Sequence, residues 1–216
     1  MPERARLKVA VLVSGRGSNL KALIEAERSG RLPIEIVLVA SDRAEAPALR
    51  LAESAGIATL ALDPKSYADR AAFDADLFAR IGAVSADLLV LAGFMRIVDP
   101  AVLAPWIGRT INIHPSLLPK YRGLRTHERA LAAGDAIHGA SVHFVTAELD
   151  GGPVIAQIEI PIRAGETPAA LAERLLPHEH RLLVACVDLI AARRVALRGD
   201  AVMLDGSRIS VPLIVS

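Results

Sequence analysis

The sequence predicts an α/β fold in a single domain, with a mostly parallel twisted sheet, helices on both faces, and an antiparallel extension near the C-terminal part. Strand-length segments such as 8–14 and 34–41 are apolar along nearly their whole length, as in a sheet covered on both faces. Amphipathic helical segments alternate with these strands, which is the pattern of parallel βα units. Two later segments instead alternate apolar and polar residues, which favours antiparallel pairing.

The first half of the chain alternates regularly between strands and helices. Helices are predicted where apolar residues recur with a helical period and the segment closes on a glycine, as at Gly30 and Gly56. The predicted strands are 8–14, 34–41, 58–62, 87–94 and 108–114, and the predicted helices are 20–30, 46–56 and 68–84.

The second half supplies the antiparallel extension. Segments 139–146 and 153–162 alternate more clearly and are separated by a short turn-rich stretch. Residues 168–195 have the period of a long helix, which we expect Pro177 to interrupt because proline lacks the N–H that a helix interior needs. A short hairpin with an Asp205-Gly206 turn follows.

Composition excludes several classes of protein. The formal net charge is +1, so the chain carries no electrostatic footprint for nucleic acid or a membrane surface. No apolar run reaches the length that spans a bilayer, and the N-terminus lacks the features of a signal peptide, so we expect a cytoplasmic protein. The single cysteine, Cys186, lies in an apolar helical stretch and is interpreted as a core residue.

The segment GRGSN, residues 15–19, is a candidate phosphate site. Gly15 and Gly17 follow a strand and open a helix, where backbone N–H groups and the helix dipole favour an anion, and Ser18 and Asn19 are good capping residues. Leu20 occupies the position where a dinucleotide fingerprint requires its third glycine. Although Asp42 follows the second strand as a ribose-binding acid would, a nicotinamide enzyme is therefore disfavoured.

The stretch INIHPSLLP, residues 111–119, places two polar side chains at the carboxyl end of a strand. Asn112 and His114 share one face of that strand, and ligands bind at this end in open α/β sheets. The amide can donate to a developing oxyanion, and the imidazole can carry a proton. Asp150, before two glycines and Pro153, is the candidate third member, and we expect its carboxylate to raise the pKa of His114.

The other histidines are less specific signals. His143, in SVHFV, either faces the same site or is a buried, hydrogen-bonded core residue, while His127 and His138 are interpreted as surface or supporting residues. No His, Cys and acidic residues have the spacing of a metal site, and His178-Glu179-His180 does not form H-E-x-x-H. No G-x-S-x-G serine elbow is present.

Five motifs together resemble the phosphoribosylglycinamide formyltransferase family of the folate-dependent formyltransferase superfamily. They are SGRGSNL, LAGFMRIV, INIHPSLLPKYRG, HGASVHFVTAELDGGPVIAQ and a late HEH. The resemblance runs from about residue 8 to residue 190. It implies a Rossmann-like formyltransferase fold across residues 1–216, with a phosphate-binding, nucleotide-type half in 1–105 and a catalytic, folate-binding half in 106–216.

The resemblance also implies an activity and residue roles. The enzyme would transfer the formyl group of 10-formyltetrahydrofolate, its co-substrate, to the amine of glycinamide ribonucleotide in de novo purine biosynthesis, without a metal. Asn112, His114 and Asp150 would be catalytic, with His114 protonated. Gly17, Ser18, Asn19 and Glu179 would bind the ribonucleotide. The folate would contact Arg70, Met95, Arg96, Ile97, Val98, Asn112, Ala147, Glu148 and Leu149.

Three alternatives remain at this point. A methionyl-tRNA formyltransferase-like enzyme is disfavoured because it carries a further C-terminal domain and binds RNA. A formyltetrahydrofolate hydrolase normally has an N-terminal regulatory domain, whereas the first predicted strand here starts at residue 8. A nucleotide-binding scaffold protein would not bring Asn112, His114 and Asp150 together. The resemblance leaves both a monomer and a homodimer open, with small molecules as the expected partners.

Overall fold

The computed structural model describes residues 6–215, which divide after Ile111 into two compact units. The first unit contains strands β1 (Leu7–Val13), β2 (Ile34–Ser41), β3 (Thr59–Ala61) and β4 (Leu88–Leu91), with helices α1 (Ser18–Arg28), α2 (Pro47–Ser54), α3 (Arg70–Ala83) and α4 (Pro100–Leu103). Its strands lie in the order β4-β1-β2-β3 and pair in parallel. This arrangement confirms the parallel sheet that the apolar strands predict.

The core of the first unit follows from the two-sided burial of its central strands. Residues 9–13 of β1 and all of β4 are buried, since helices cover both faces of a parallel sheet. The helices add one apolar face each, and the amphipathic period that predicted α1 and α3 places Leu23 and Leu77 fully inside.

The second unit begins within strand β5 (Thr110–His114), whose last three residues belong to it. It continues with α5 (Thr126–Ala132), β6 (Ile137–Phe144), β7 (Val154–Pro161), α6 (Pro168–Ala191), β8 (Val195–Arg198), β9 (Ala201–Leu204), β10 (Ser207–Arg208) and β11 (Leu213–Ile214). The strand order is β11-β7-β6-β5, with β6 and β7 antiparallel and β11 parallel to β7. The predicted antiparallel extension is therefore confirmed.

Helix α6 corrects one prediction. It is continuous through Pro177, because buried leucines before and after the proline, Leu175 and Leu182, keep one apolar face packed. It ends at Ala191 rather than at residue 195, with Arg193 in a left-handed conformation at φ 58° and Arg194 N–H donating to Leu189 O. Because no glycine marks this stop, β8 was not predicted. It pairs with β9, which pairs with β10 on its other side, in a small antiparallel sheet.

Two further observations bear on the predicted class of protein. Cys186 is fully buried in α6, as predicted, and this burial raises the pKa of its thiol. Within residues 6–215, no helix combines the length and the apolar character that crossing a bilayer requires. The predicted halves 1–105 and 106–216 stay a prediction.

Candidate active site

The end of β5 presents an amide and an imidazole, as the alternation of its sequence predicts. Ile111 and Ile113 are buried apolar residues of the strand, Asn112 is half-buried, and His114 is only 6% exposed. Proline follows at position 115 and helps to end the strand, since it cannot donate a ladder hydrogen bond. The two polar side chains are therefore held on regular backbone at the point where the strand gives way to a loop.

Asp150 lies in the turn between β6 and β7, in a left-handed conformation with φ 47°. The following glycines make this turn possible. A Cβ at Gly152 would lie 1.9 Å from Phe144 O, and one at Gly151 would collide with the side chain of Glu148. Gly152 is therefore required by the close approach to the Phe144 backbone, and this approach helps to fix the turn that carries Asp150.

The three predicted catalytic residues converge in the second unit. His114 Nδ1 is 3.5 Å from Asp150 Oδ2, and Asn112 Nδ2 is 3.4 Å from Asp150 Oδ1. The Gly123 N–H donates to Asp150 Oδ2 at 2.9 Å. The carboxylate thus contacts an imidazole, an amide and a backbone donor. A nucleotide-binding scaffold would not bring these three side chains together, so their convergence argues against that alternative.

His143 is a fourth member of this cluster. It is 2% exposed, with Nε2 3.1 Å from Asn112 Nδ2 and 3.7 Å from Asp150 Oδ1. Its Nδ1 is 2.9 Å from Phe144 O. Both interpretations that the sequence left open therefore hold, because His143 is buried and hydrogen-bonded and also faces the site.

The hydrogen bonds assign the protons of the two histidines. A carbonyl oxygen only accepts, so His143 Nδ1 donates to Phe144 O, and in that tautomer Nε2 is the acceptor for the Asn112 amide. By the same logic His114 Nε2 donates to Tyr121 O at 3.0 Å. Neutral His114 then turns the lone pair of Nδ1 towards Asp150, and a proton taken up by this histidine goes to Nδ1.

Asp150 acts on the pKa of His114 in the expected direction, but the net shift is downward. Burial lowers the pKa of His114, and it outweighs the opposing effects of the Tyr121 carbonyl and the Asp150 charge. For Asp150, burial alone would raise the pKa, but the contact with His143, the Gly123 N–H and the positive charge that His114 carries when it is protonated lower it. The resting site therefore pairs a neutral imidazole with an ionised carboxylate near neutral pH.

Three residues outside the predicted trio hold the cluster in place. Tyr121 and Gly123, in the loop after β5, offer a carbonyl and an N–H from left-handed backbone positions. The neighbouring Arg122 forms an ion pair with Glu148, just before Asp150. Sequence reasoning missed these roles, because the two backbone groups leave no side-chain pattern and the ion pair joins residues far apart in the chain.

The glycine-rich segment GRGSN lies in the first unit and opens α1. Gly17 is the N-cap at φ 78°, and a Cβ there would lie 2.6 Å from Ala48 Cβ. The prediction that Ser18 and Asn19 cap the helix is wrong, because the helix begins at Ser18 and both residues lie in its first turn. Asn19 is 8% exposed, so its amide is largely fixed within the fold. Phosphate binding by this segment stays a prediction.

The residues predicted to contact folate in the first unit are mostly exposed. Arg70 is the first residue of α3 and is exposed, while Met95 and Ile97 are 62% and 53% exposed. Arg96 places its guanidinium 4.7 Å from the ring centroid of Phe73, a cation–π contact, and Val98 is half-buried.

The remaining predicted residues lie in the second unit. Ala147, Glu148 and Leu149 are exposed on the turn that leads to Asp150. Glu179 is half-buried in the continuous helix α6, two residues after Pro177. No group of three or more His, Cys, Asp or Glu side chains within residues 6–215 could hold a metal ion.

His127 and His138 form a separate pair in the second unit. His127 Nδ1 is 2.9 Å from His138 Nε2, and His138 is 1% exposed, so of the two alternatives, surface or supporting residue, the surface one is wrong for His138. Burial lowers the pKa of both rings, that of His138 to about 4.

Comparison with known proteins supplies the family. Residues 7–187 match the formyl transferase family. The chain is 44% identical over 203 residues to the phosphoribosylglycinamide formyltransferase of Escherichia coli strain K12, covering 94% of this chain and 96% of the relative.

Two solved structures also resemble this chain. The phosphoribosylglycinamide formyltransferase of Coxiella burnetii has a TM-score of 0.93 at 43% identity, over 97% of this chain and 99% of that one. Glycinamide ribonucleotide transformylase 1 of Symbiobacterium toebii has a TM-score of 0.90 at 41% identity, over 94% and 95%. The chain belongs to the formyl transferase family.

Proposed function

We propose that this protein transfers the formyl group of 10-formyltetrahydrofolate to the amine of glycinamide ribonucleotide, giving formylglycinamide ribonucleotide and tetrahydrofolate in purine biosynthesis. The observation that carries the proposal is the convergence of Asn112, His114 and Asp150 at distances of 3.4–3.5 Å, in a chain whose relatives bear the name of this activity. The whole chain would act as one formyltransferase domain in the cytoplasm, with these two small molecules as its partners.

Substrate binding is divided among the predicted residues. The N–H groups at Gly17, Ser18 and Asn19, at the start of α1, bind the phosphate of the ribonucleotide, because a helix N-terminus favours an anion. Glu179 contacts the ribose or glycinamide part of the same substrate. The folate is bound by Arg70, by residues 95–98, and by Asn112 with the turn residues 147–149.

The first chemical step is attack of the amine on the formyl carbon. A new C–N bond forms and the carbonyl electron pair moves to oxygen, giving a tetrahedral oxyanion. Asn112 Nδ2 stabilises that charge with the hydrogen that makes the long, 3.4 Å contact to Asp150 in the free protein. His143 accepts the other hydrogen and keeps the amide turned the right way.

The second step moves one proton. The attacking nitrogen releases its proton to neutral His114 at Nδ1, where Asp150 Oδ2 stabilises the imidazolium that forms. Collapse of the intermediate restores the carbonyl and breaks the bond to the folate nitrogen, which takes the proton from His114 and departs. The low pKa of His114 suits this role, since the ring starts as a base.

The test is a formyl-transfer assay with both substrates, comparing the unaltered protein with His114→Ala. We expect folate release that requires the ribonucleotide and falls at least about a thousandfold in the variant, in line with the loss of a general base. Release without the ribonucleotide would instead establish a hydrolase, and absence of release would favour a binding protein. A tRNA-directed enzyme would formylate methionyl-tRNA, which serves as the third substrate in the same assay.

A further inference from the structure

Two buried carboxylates of the first unit lie outside the proposed chemistry. Asp42 is 9% exposed and Asp74 is fully buried. Carboxylates are seldom buried to this extent, since removing an ionised group from water is costly unless hydrogen bonds replace the lost hydration. We therefore expect each of the two carboxylates to accept hydrogen bonds that the fold requires.

Asp42 acts on the loop after β4 through Ser14. The Ser14 hydroxyl donates to Asp42 Oδ1 at 2.6 Å, and the Met95 N–H donates to Ser14 Oγ at 3.0 Å. A hydroxyl has one hydrogen, so by taking it Asp42 leaves the lone pairs of Ser14 free to accept from Met95. The Ser14 N–H also donates to Gly93 O at 3.1 Å, which fixes the same loop a second time.

Asp74 holds the other end of this loop. Its Oδ2 accepts the Asp99 N–H at 2.8 Å, and Asp99 in turn caps α4 by accepting the Ala101 N–H at 2.8 Å. Burial raises the pKa of Asp74, which the bond from Asp99 and the charge of Arg96 oppose. Its neighbour Phe73 packs against the Arg96 guanidinium, so the same turn of α3 contacts the loop twice.

The apolar side chains of the segment between these two anchored N–H groups contribute little to ordering it. Met95 and Ile97 are more than half exposed, so their side chains add little burial to the fold. A loop that presents apolar side chains to a ligand binds more tightly when its conformation is fixed in advance, because ordering then costs nothing on binding.

We infer that Asp42, acting through Ser14, and Asp74 are positioning residues that fix the loop 93–99 for binding the folate. The inference rests on the proposed function, which assigns residues 95–98 to the folate. Neither carboxylate touches the substrate. Each acts through a backbone N–H, that of Met95 or that of Asp99.

The experiment compares Asp42→Ala, Asp42→Asn and Asp74→Ala by amide hydrogen exchange and by steady-state kinetics. Asp87→Ala is the matched control, since Asp87 Oδ2 also accepts a backbone N–H, that of Lys8 at 2.9 Å, but at the start of β1 and in an exposed position. In the two alanine variants we expect faster exchange at Met95 or Asp99 and a three- to tenfold rise in KM for the folate, roughly the worth of one hydrogen bond. We expect kcat and KM for the ribonucleotide to change less than about twofold.

Asp42→Asn separates positioning of the loop from a general loss of stability. Its amide oxygen can still accept the hydrogen bond from the Ser14 hydroxyl, so exchange at Met95 and KM for the folate should both return to the values of the unaltered protein. Unchanged exchange at Met95 and Asp99 would overturn the inference. Faster exchange with an unchanged KM for the folate would instead overturn the assignment of the loop to the folate, leaving the anchoring intact. If Asp74→Ala fails to fold, the Asp42 variants decide the matter by the same two readouts.

Discussion

The candidate binding groups of the two units are of different chemical kinds. In the first unit the groups are backbone N–H donors at the start of α1 and exposed side chains on an anchored loop. In the second unit they are side chains, buried in His114 and His143 and half-buried in Asn112 and Asp150, that are linked by short contacts. A backbone donor does not titrate. We therefore expect pH to affect the candidate site of the second unit, whereas binding by the first unit should depend on backbone geometry.

The largest expected effect is that of Asp150→Asn. The variant keeps the shape of the side chain but removes the charge that stabilises a proton on His114 Nδ1. We expect kcat/KM to fall about a thousandfold or more, as for other groups that stabilise charge in a transition state. Asp205→Asn is the matched control, because Asp205 is also left-handed and ion-paired, in the C-terminal hairpin. Equal activity in the two variants would remove Asp150 from the mechanism.

His143→Ala should come next, with a fall in kcat of about a hundredfold and little change in KM, since one oxyanion donor is worth that much. The physical reason is that the Asn112 amide loses the acceptor that orients it. The Asn112→Ala variant provides the check. If His143 acts through Asn112, adding His143→Ala to that variant should change kcat less than about threefold; a full further loss would mean that His143 acts independently.

Acid should weaken the second unit. The pKa values of His114, His127 and His138 are lowered by burial, so the native state binds fewer protons than the unfolded state below pH 6.5. Stability is fully present above pH 6.5 and is lost as the pH falls towards the folded pKa, which for His138 is about 4.

This loss is measurable by urea unfolding at pH 7.5 and pH 5. For His138 alone we expect a decrease of about 2 kcal/mol in the free energy of unfolding. The variant His138→Gln should show a smaller decrease than the unaltered protein. A decrease of the same size in both would mean that other groups carry the acid sensitivity.

The smallest effect is expected in the first unit, from Gly17→Ala. A side chain at φ 78° is strained, and the new Cβ would meet Ala48 Cβ at 2.6 Å. We expect unfolding to become about 1–2 kcal/mol easier and KM for the ribonucleotide to rise about tenfold. Gly30→Ala is the control, because Gly30 has φ 71° but no heavy atom within 4 Å of the added Cβ. Only strain is then introduced, and KM should not change.

Much of the fold could be predicted because its signals are local. Apolar runs and helical periods located the four strands and three longer helices of the first unit, and glycines marked the stops at Gly30 and Gly56, whereas the four-residue helix α4 was not predicted. The end of α6 was missed because Arg193 takes the left-handed position that usually belongs to glycine. Strand β11 has two residues, too few for a period to show.

The site was predictable in its residue types and less so in its chemistry. Asn112 and His114 are paired by strand alternation, and the two glycines after Asp150 signal a tight turn. The direction of the pKa shift of His114 was not predictable, because it depends on how deeply the fold buries the ring against one nearby charge. The bond from His114 to Tyr121 O is likewise a product of loop geometry, which no side-chain pattern encodes.

Cys186 has a practical consequence for studies of motion. It is the single cysteine of the sequence, and it is fully enclosed in α6 with its thiol held in the protonated, unreactive form. A cysteine introduced at an exposed position such as Leu149 would be the only thiol that a maleimide dye or a nitroxide reagent can reach. The native chain therefore already provides the silent background that fluorescence and spin-label spectroscopy require.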